Sequence, residues 1–242
     1  MIPARIGSTR LKMKNLALIN GKPLIYYAIH AALESGVFDK IIINSDHKVF
    51  SKIADRYNVD FYLRPSKLGS STTKSDDVVA DFMHAYPQAD MVAWVNSIAP
   101  LQTAAEVAGI VSYFIEKRLD SLVTVDEKQV HCIYNNNPVN YVQEASFALT
   151  QDLNPVQTFV YSIMMWRKLT FLKQYDQKGF ALLSGKFGTY PVSKLSSIII
   201  KTEDDLRRAN YFIKFLLKSS LSVEISYDSL AQTINVSNDK NG

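Results

Sequence analysis

Residues 2–16, IPARIGSTRLKMKNL, join a short apolar start directly to a loop rich in cations and small residues. Small residues let backbone N–H groups approach an anion, and lysine and arginine side chains neutralise its charge. The glycine spacings of a P-loop or of a dinucleotide fingerprint are absent from this segment. It therefore predicts an anion-binding loop of another kind, which carries Arg5, Gly7, Ser8, Arg10, Lys12, Lys14 and Asn15.

The composition is that of a globular chain with a full hydrophobic core. Of 242 residues 47% are hydrophobic, and the net charge is only +4 with dispersed basic residues, which disfavours nucleic-acid binding. No apolar run approaches the roughly 20 residues of a membrane span, and Arg5 and Arg10 interrupt any signal-peptide core. The four histidines lack metal-ligand spacing, and the single Cys132 suits a reducing compartment. We expect a cytoplasmic protein.

Strand-like and helix-like segments alternate along the chain, which predicts a single α/β domain with a mostly parallel sheet between layers of helices. The predicted strands are 40–46, 59–62, 91–96, 121–125, 160–166 and 196–201. The predicted helices are 23–36, 47–57, 76–86, 103–118 and 203–218.

Two parts of the chain depart from this alternation. Residues 127–160 contain the run NNNP and scattered polar residues, so we interpret them as an excursion from a domain that spans residues 1–218. Residues 219–242 are polar and partly strand-like. We expect them to form a C-terminal extension that is partly disordered, as chain ends often are.

The opening segment resembles the signature of the cytidylyltransferases that activate acidic sugars, the CMP-sialic acid and CMP-Kdo synthetases. That pattern is (I/Q)-x-A-R-x-x-S-(K/T)-R-L-x-x-K-(N/P)-L. The resemblance continues through GKPLI (21–25), FDKIIINSD (38–46) and the Arg64-Pro65 pair, and it weakens toward residue 215. The family has several apolar residues before its P-A-R. Here only Met1 and Ile2 precede Pro3, so either the first strand is very short or the true start lies upstream.

The resemblance implies a nucleotide-diphospho-sugar transferase-like fold. It also implies which residues bind each part of the substrates. Arg5 and Lys14 would hold the triphosphate of CTP, with Ser8 and Asn15 as polar contacts and Arg64 near the cytosine. Gly7 and Arg10 belong to the same loop, and Asn96 falls where the family has a glutamine that contacts the nucleotide. The excursion at 127–160 corresponds to an arm through which family members form homodimers. Contacts to the acidic sugar would come from Gln102, Lys128, Tyr134 and Tyr161.

One motif departs from the family pattern. The family has D-I-D-(T/S)-x-x-D-(L/F) before its last helix, a strand with two carboxylates on one face that hold Mg²⁺. The aligned run here is IIIKTEDDL (198–206), with Ile199 and Lys201 in place of those acids. Thr202 and the following acids match a helix N-cap, which needs no metal. Asp46 is a weak alternative metal-site candidate, and a strand-end cap explains it as well.

The resemblance therefore implies transfer of CMP from CTP to a 2-keto-3-deoxy sugar acid, with pyrophosphate as leaving group. Two hypotheses remain for Lys201. Either metal chemistry is lost, or its ammonium group replaces the cation and acts in catalysis together with Arg5 and Lys14. A catalytically impaired homologue that binds nucleotide or sugar is an alternative function, as is a nucleotidyltransferase with a different substrate.

Overall fold

The computed structural model describes residues 1–218. Its strands are β1 (Ile2–Pro3), β2 (Leu18–Ile19), β3 (Lys22–Pro23), β4 (Ile42–Ser45), β5 (Asp60–Leu63), β6 (Met91–Val95), β7 (Ser121–Lys128), β8 (Ile133–Tyr134), β9 (Asn137–Pro138), β10 (Val156–Arg167) and β11 (Phe187–Pro191). Its α-helices are α1 (Leu24–Ser35), α2 (Val49–Tyr57), α3 (Ser75–Ala85), α4 (Ala104–Glu116), α5 (Lys168–Lys178) and α6 (Glu203–Lys218).

Seven of these strands form one continuous sheet layer. Strands β1, β4 and β5 pair in parallel, while β11, β7, β10 and β6 form a second group in that order. The amino group of Met1 donates to the Ala93 carbonyl at 2.8 Å, and the Met1 carbonyl accepts from the Val95 nitrogen at 3.0 Å. These two hydrogen bonds place β1 beside β6. The order across the layer is therefore β5-β4-β1-β6-β10-β7-β11. Strand β10 runs antiparallel to both of its neighbours.

Helices cover both faces of the sheet, as the alternation of hydrophobic segments predicted. Period-two geometry sends neighbouring strand residues to opposite faces. Ile43 therefore packs into a core beneath α1, α2 and α4, whereas Ile42 packs into a second core beneath α3 and α5. In β10 Met165 lies in the first core and Trp166 in the second. The three-layer α/β arrangement with a mostly parallel sheet is confirmed.

Most predicted elements are present with shifts of a few residues at their ends. The predicted helix at 23–36 is α1, and Gly36 ends it in the left-handed conformation (φ 65°) that glycine adopts without strain. The prediction of a strand at 196–201 is wrong, because this segment forms turns and irregular backbone. Instead, β11 pairs with β7 at the sheet edge. Neither β11 nor α5 was predicted from the sequence.

Residues 129–155 form an arm between β7 and β10, and the remaining residues of the predicted excursion at 127–160 belong to these two paired strands. At its tip β8 and β9 form a hairpin whose turn residues, Asn135 and Asn136, both have positive φ. Asparagine tolerates that conformation better than most residues, which explains the NNNP run. His131 stacks on Phe147 with ring centroids 4.0 Å apart. Several large apolar side chains of the arm are exposed: Val130, Ile133, Tyr134, Val139, Val142, Phe147 and Leu149.

Helix α6 follows the irregular segment and packs against the β2–β3 hairpin through a third small core. Among residues 1–218 there is no helix long and apolar enough to cross a membrane. The C-terminal extension predicted for residues 219–242 lies outside the described residues.

Candidate functional site

A cleft of about 300 Å³ lies where parallel strands β5, β4, β1 and β6 end. Because parallel strands present their carboxyl ends at one edge, residues that follow each strand converge there. Arg64 follows β5, Asp46 follows β4, the cationic loop follows β1, and Asn96 follows β6. The cleft is lined by eight of the residues predicted from the sequence: Arg5, Ser8, Arg10, Lys14, Asn15, Arg64, Asn96 and Lys201.

Asn15 holds the cationic loop in place through hydrogen bonds of its side chain. Its side chain is buried, and its amide nitrogen donates to the Arg5 carbonyl at 3.2 Å. Its amide oxygen accepts from the Ser97 hydroxyl at 2.5 Å. The side chain thus joins the loop after β1 to the segment after β6. Asn15 lines the cleft, and much of its hydrogen-bonding capacity is used in holding the two walls together.

Asp46 supports the floor of the cleft. Its Oδ1 accepts from the Ile6 backbone nitrogen at 3.0 Å and lies 3.9 Å from Nη2 of Arg64. Arg64 is only 4% exposed, and its Nη1 donates to both the carbonyl and the side-chain oxygen of Asn44 at 3.2 Å. Asp46 does not line the cleft. These contacts agree with a strand-end cap that holds the loop and the buried guanidinium.

Lys14 is the most perturbed cation of the cleft. Burial lowers its pKa to about 8, and the neighbouring charges of Arg10, Arg5 and Lys201 act in the same direction. Its ammonium group donates to the Ile200 carbonyl at 3.4 Å. A lysine that is desolvated among other cations is held in an unfavourable charged state. A bound anion would relieve this, so the cluster is suited to a ligand with several negative charges.

The Lys14 pKa predicts how anion binding depends on pH. Because the charged lysine attracts the anion and its pKa lies near 8, affinity for a nucleoside triphosphate is expected to fall about tenfold between pH 7 and pH 9. The phosphates are already ionised in that interval. Calorimetric titration of wild type and Lys14→Arg tests this, since arginine stays charged throughout. A parallel loss of affinity in both proteins would assign the effect to another group.

Several residues with hydroxyl groups line the cleft but were not among the site residues predicted from the sequence. Thr9 and four residues of the stretch 70–75 line the cleft, and Arg5 Nη1 donates to the Ser70 carbonyl at 3.3 Å. The Ser/Thr-rich run SSTT (70–73) was a signal that could have indicated them. Such hydroxyls can donate to phosphate or sugar oxygens.

Two buried donors among the lining residues have no hydrogen-bond partner within the described part of the chain. They are Nε of Arg64 and Nε1 of Trp94. Buried N–H groups are nearly always paired, because an unpaired one costs its full desolvation. Both side chains line the cleft, although the two nitrogen atoms themselves are shielded from solvent. Trp94 was absent from the predicted site, since a strand tryptophan is normally a core residue.

Four predicted substrate contacts lie outside the cleft. Gln102 is buried and donates to Glu106 and to the Ser162 hydroxyl, each at 3.2 Å. Lys128 lies 3.4 Å from Asp126 at the end of β7, and Tyr134 is exposed at the tip of the arm. Tyr161 is exposed with φ 59°, at the irregularity in β10. Gly7 is exposed on the loop and does not line the cleft either.

The residues of the cleft do not fit the Mg²⁺ that the resemblance implies. A hard cation needs carboxylate oxygens, and none of the described lining residues is acidic. Ile199 packs against the first core, and Lys201 brings an ammonium group into the cleft. Within residues 1–218 no cluster of three or more histidine, cysteine or acidic side chains could hold a metal ion.

A polar, cationic cleft at the carboxyl ends of parallel strands is typical of α/β proteins that bind phosphorylated ligands. The sequence profile described as Cytidylyltransferase matches residues 1–178, which is well over half of the chain. The chain belongs to the cytidylyltransferase family.

Curated relatives with cytidylyltransferase names match this chain at modest sequence identity. An N-acylneuraminate cytidylyltransferase of Streptococcus agalactiae serotype V is 26% identical over 213 residues, covering 85% of this chain and 50% of the relative. An enzyme of the same name from Escherichia coli O18:K1:H7 is 32% identical over 114 residues, covering 47% of this chain and 27% of the relative. The chain thus spans about half the length of the first of these relatives, and less of the second.

Solved structures share the fold. A CMP:2-keto-3-deoxy-manno-octonic acid synthetase complexed with CTP superposes with a TM-score of 0.67 at 14% identity, covering 89% of this chain and 97% of that one. A cytidylyltransferase of Leptospira borgpetersenii gives 0.57 at 17% identity, covering 96% of this chain and 91% of the other. At these identities the likeness concerns the fold alone.

Proposed function

We propose that this protein binds CTP in the cleft and transfers its CMP group to a 2-keto-3-deoxy sugar acid. The observation that carries the proposal is the convergence of five cationic side chains on one cleft from three separate parts of the chain: Arg5, Arg10, Lys14, Arg64 and Lys201. The names of the relatives support the reaction, since both are called N-acylneuraminate cytidylyltransferase. A further support is that one structural neighbour is a synthetase complexed with CTP.

The proposed reaction requires no covalent intermediate with the protein. The anomeric hydroxyl oxygen of the sugar attacks the α-phosphorus of CTP, a new O–P bond forms, and the bond to the β-phosphate oxygen breaks. Pyrophosphate leaves with the bonding electron pair, and the hydroxyl proton passes to solvent, since no general base is identified. Arg5, Lys14 and Lys201 would stabilise the charge that develops on the leaving group, which is the main catalytic term in phosphoryl transfer.

The unpaired donors suit the base end of the nucleotide. Arg64 Nε and Trp94 Nε1 are both donors, and cytosine presents acceptors at its ring nitrogen and carbonyl. Asn96 adds an amide beside them, although its oxygen also accepts from the Ile98 nitrogen at 3.4 Å. Ser8, Thr9 and the 70–75 hydroxyls would contact the phosphates and ribose. Base selection would then follow from fixed, buried hydrogen-bond donors.

The sugar site would lie between the cleft and the arm, within a domain of residues 1–218. Gln102, Lys128, Tyr134 and Tyr161 are proposed to contact the sugar acid. Because they do not line the cleft of their own protomer, contributions from a partner's arm would complete the site. The exposed apolar side chains of the arm support a homodimer. Sedimentation velocity should therefore give a mass close to twice 27.3 kDa.

A second candidate function is binding without catalysis. The observation that favours it is the acid-free cleft, since Lys201 and the core-packed Ile199 replace the two residues that would hold a metal ion in the family. The cationic loop would then serve only to retain a nucleotide. Binding and turnover must accordingly be measured separately.

The test incubates purified protein with CTP and a panel of sialic, legionaminic, pseudaminic and Kdo-like acids, with and without Mg²⁺. Pyrophosphate release is followed in each mixture. We expect release with one class of acid and none with neutral sugars, together with a new CMP-sugar in the products. CTP binding without release across the panel would favour the second candidate. Absence of CTP binding by a folded protein would overturn both.

A further inference from the structure

The charged side chains that line the cleft are all positive among the described residues. Five lining side chains are cationic, and none of the described lining residues is acidic. The nearby carboxylates are occupied in structural contacts. Asp46 accepts from the loop backbone, and Asp76 accepts from the backbone nitrogens of Ala181 and Leu182 at 2.6 and 3.0 Å. They are not directed at a ligand in the cleft.

The position of Lys201 is determined by the segment that carries it. The Ile200 nitrogen donates to the Ile98 carbonyl at 2.7 Å, and the Ile200 side chain is fully buried. On the far side, Asp205 Oδ2 accepts from the backbone nitrogens of Lys201 and Thr202, at 2.9 and 2.8 Å. This cap and the buried isoleucine fix the backbone on both sides of Lys201. Lys201 is exposed, and its side chain lines the cleft from this fixed backbone position.

We propose that the cleft binds the nucleoside triphosphate in its metal-free form, with Lys201 in the place of a divalent cation. This inference rests on the proposed function and deepens it, because it defines the ionic form of the substrate. A lysine supplies one positive charge with three hydrogen-bond donors. It neutralises a phosphate oxygen without the carboxylates that a metal ion would require.

Repulsion among the cations supports this choice of ligand. Burial lowers the pKa of Lys14, and the charges of Arg10, Arg5 and Lys201 lower it further, so an additional positive charge beside it is unfavourable. A nucleotide complexed with Mg²⁺ carries two fewer negative charges than the free nucleotide. The free nucleotide is the better electrostatic complement, so Mg²⁺ and the cleft compete for the same phosphates.

Calorimetric titration with CTP tests the inference on the intact chain. One titration contains EDTA and the other excess MgCl₂, with ionic strength equalised because salt screens these charges. We expect CTP to bind about tenfold more tightly without Mg²⁺, within the usual range of coupling between two ligands. Binding that requires Mg²⁺ would overturn this inference and leave the proposed function standing. Failure to bind CTP in both conditions would overturn the proposed function as well.

Substitution of Lys201 makes the test specific to that residue. In Lys201→Asp we expect CTP affinity in EDTA to fall by about a hundredfold and Mg²⁺ to strengthen binding, since a carboxylate now faces the phosphates. Lys201→Gln removes the charge without adding a ligand, so it should lose affinity and gain no response to Mg²⁺. Lys52→Asp is the control, an equal change of charge on an exposed face of α2. A Mg²⁺ response in Lys201→Asp identical to wild type would overturn the assignment.

Discussion

Replacement of Lys14 by methionine is expected to lower CTP affinity by about a hundredfold at pH 7, which is within the range for truncation of one partner of a buried, hydrogen-bonded charge pair. The side chain lies among Arg5, Arg10 and Lys201, and burial makes its charge interact strongly with any phosphate that it contacts. Methionine is a slightly shorter flexible side chain, and it removes both the charge and the ammonium donor that contacts the Ile200 carbonyl. Titration calorimetry measures the affinity, and pyrophosphate release measures turnover.

The same loop offers a matched control for this substitution. Lys12 is exposed two residues away and does not line the cleft, so Lys12→Met should leave CTP affinity nearly unchanged. Relief of the crowded positive charge should also stabilise the free Lys14→Met protein slightly against urea. Equal losses of affinity in the two variants would contradict the proposed site, because they would show that only overall charge matters.

Asp46→Asn is expected to lower the free energy of unfolding by about 2–3 kcal/mol. The carboxylate is the acidic partner of the Arg64 guanidinium, which is 4% exposed, and loss of one member of a buried pair leaves an uncompensated charge. The pair is long, at 3.9 Å, so the expected cost lies below the ~3–5 kcal/mol that follows the loss of one member of a tightly paired buried ion pair. Urea unfolding of both proteins measures the difference.

Two further variants separate the supporting role of Asp46 from a metal-binding role. Asp55→Asn removes an exposed carboxylate from α2 and should be neutral. Gly69→Ala retains the Asp46 charge, but a Cβ at position 69 would overlap the Asp46 carboxylate, so this variant should also weaken stability and CTP binding. An Asp46→Asn protein of normal stability that has lost a response to Mg²⁺ would instead identify Asp46 as a metal ligand.

Most of the secondary structure could be predicted because its signals are local. Pro23 and Gly36 bracket α1, the β-branched run at 40–46 contains β4, and Thr202 and Asp205 cap α6. The run at 196–201 misled the prediction. Its isoleucines are β-branched, but here they fill two different cores, and no neighbouring strand is left to pair with them among residues 1–218.

The amino-acid sequence by itself determined the alternation of strands and helices and the cationic loop after β1, and it indicated that this alternation is interrupted after β7. These depend on periodicity and on residue types that are close together along the chain. Only the tertiary structure decided that Arg64, Lys14 and Lys201 face one acid-free cleft, and that Trp94 and the 70–75 hydroxyls line its walls, within the described residues 1–218. Residues so distant in sequence meet because parallel strands end at a common edge, and strand order across a sheet is set by packing of the whole domain.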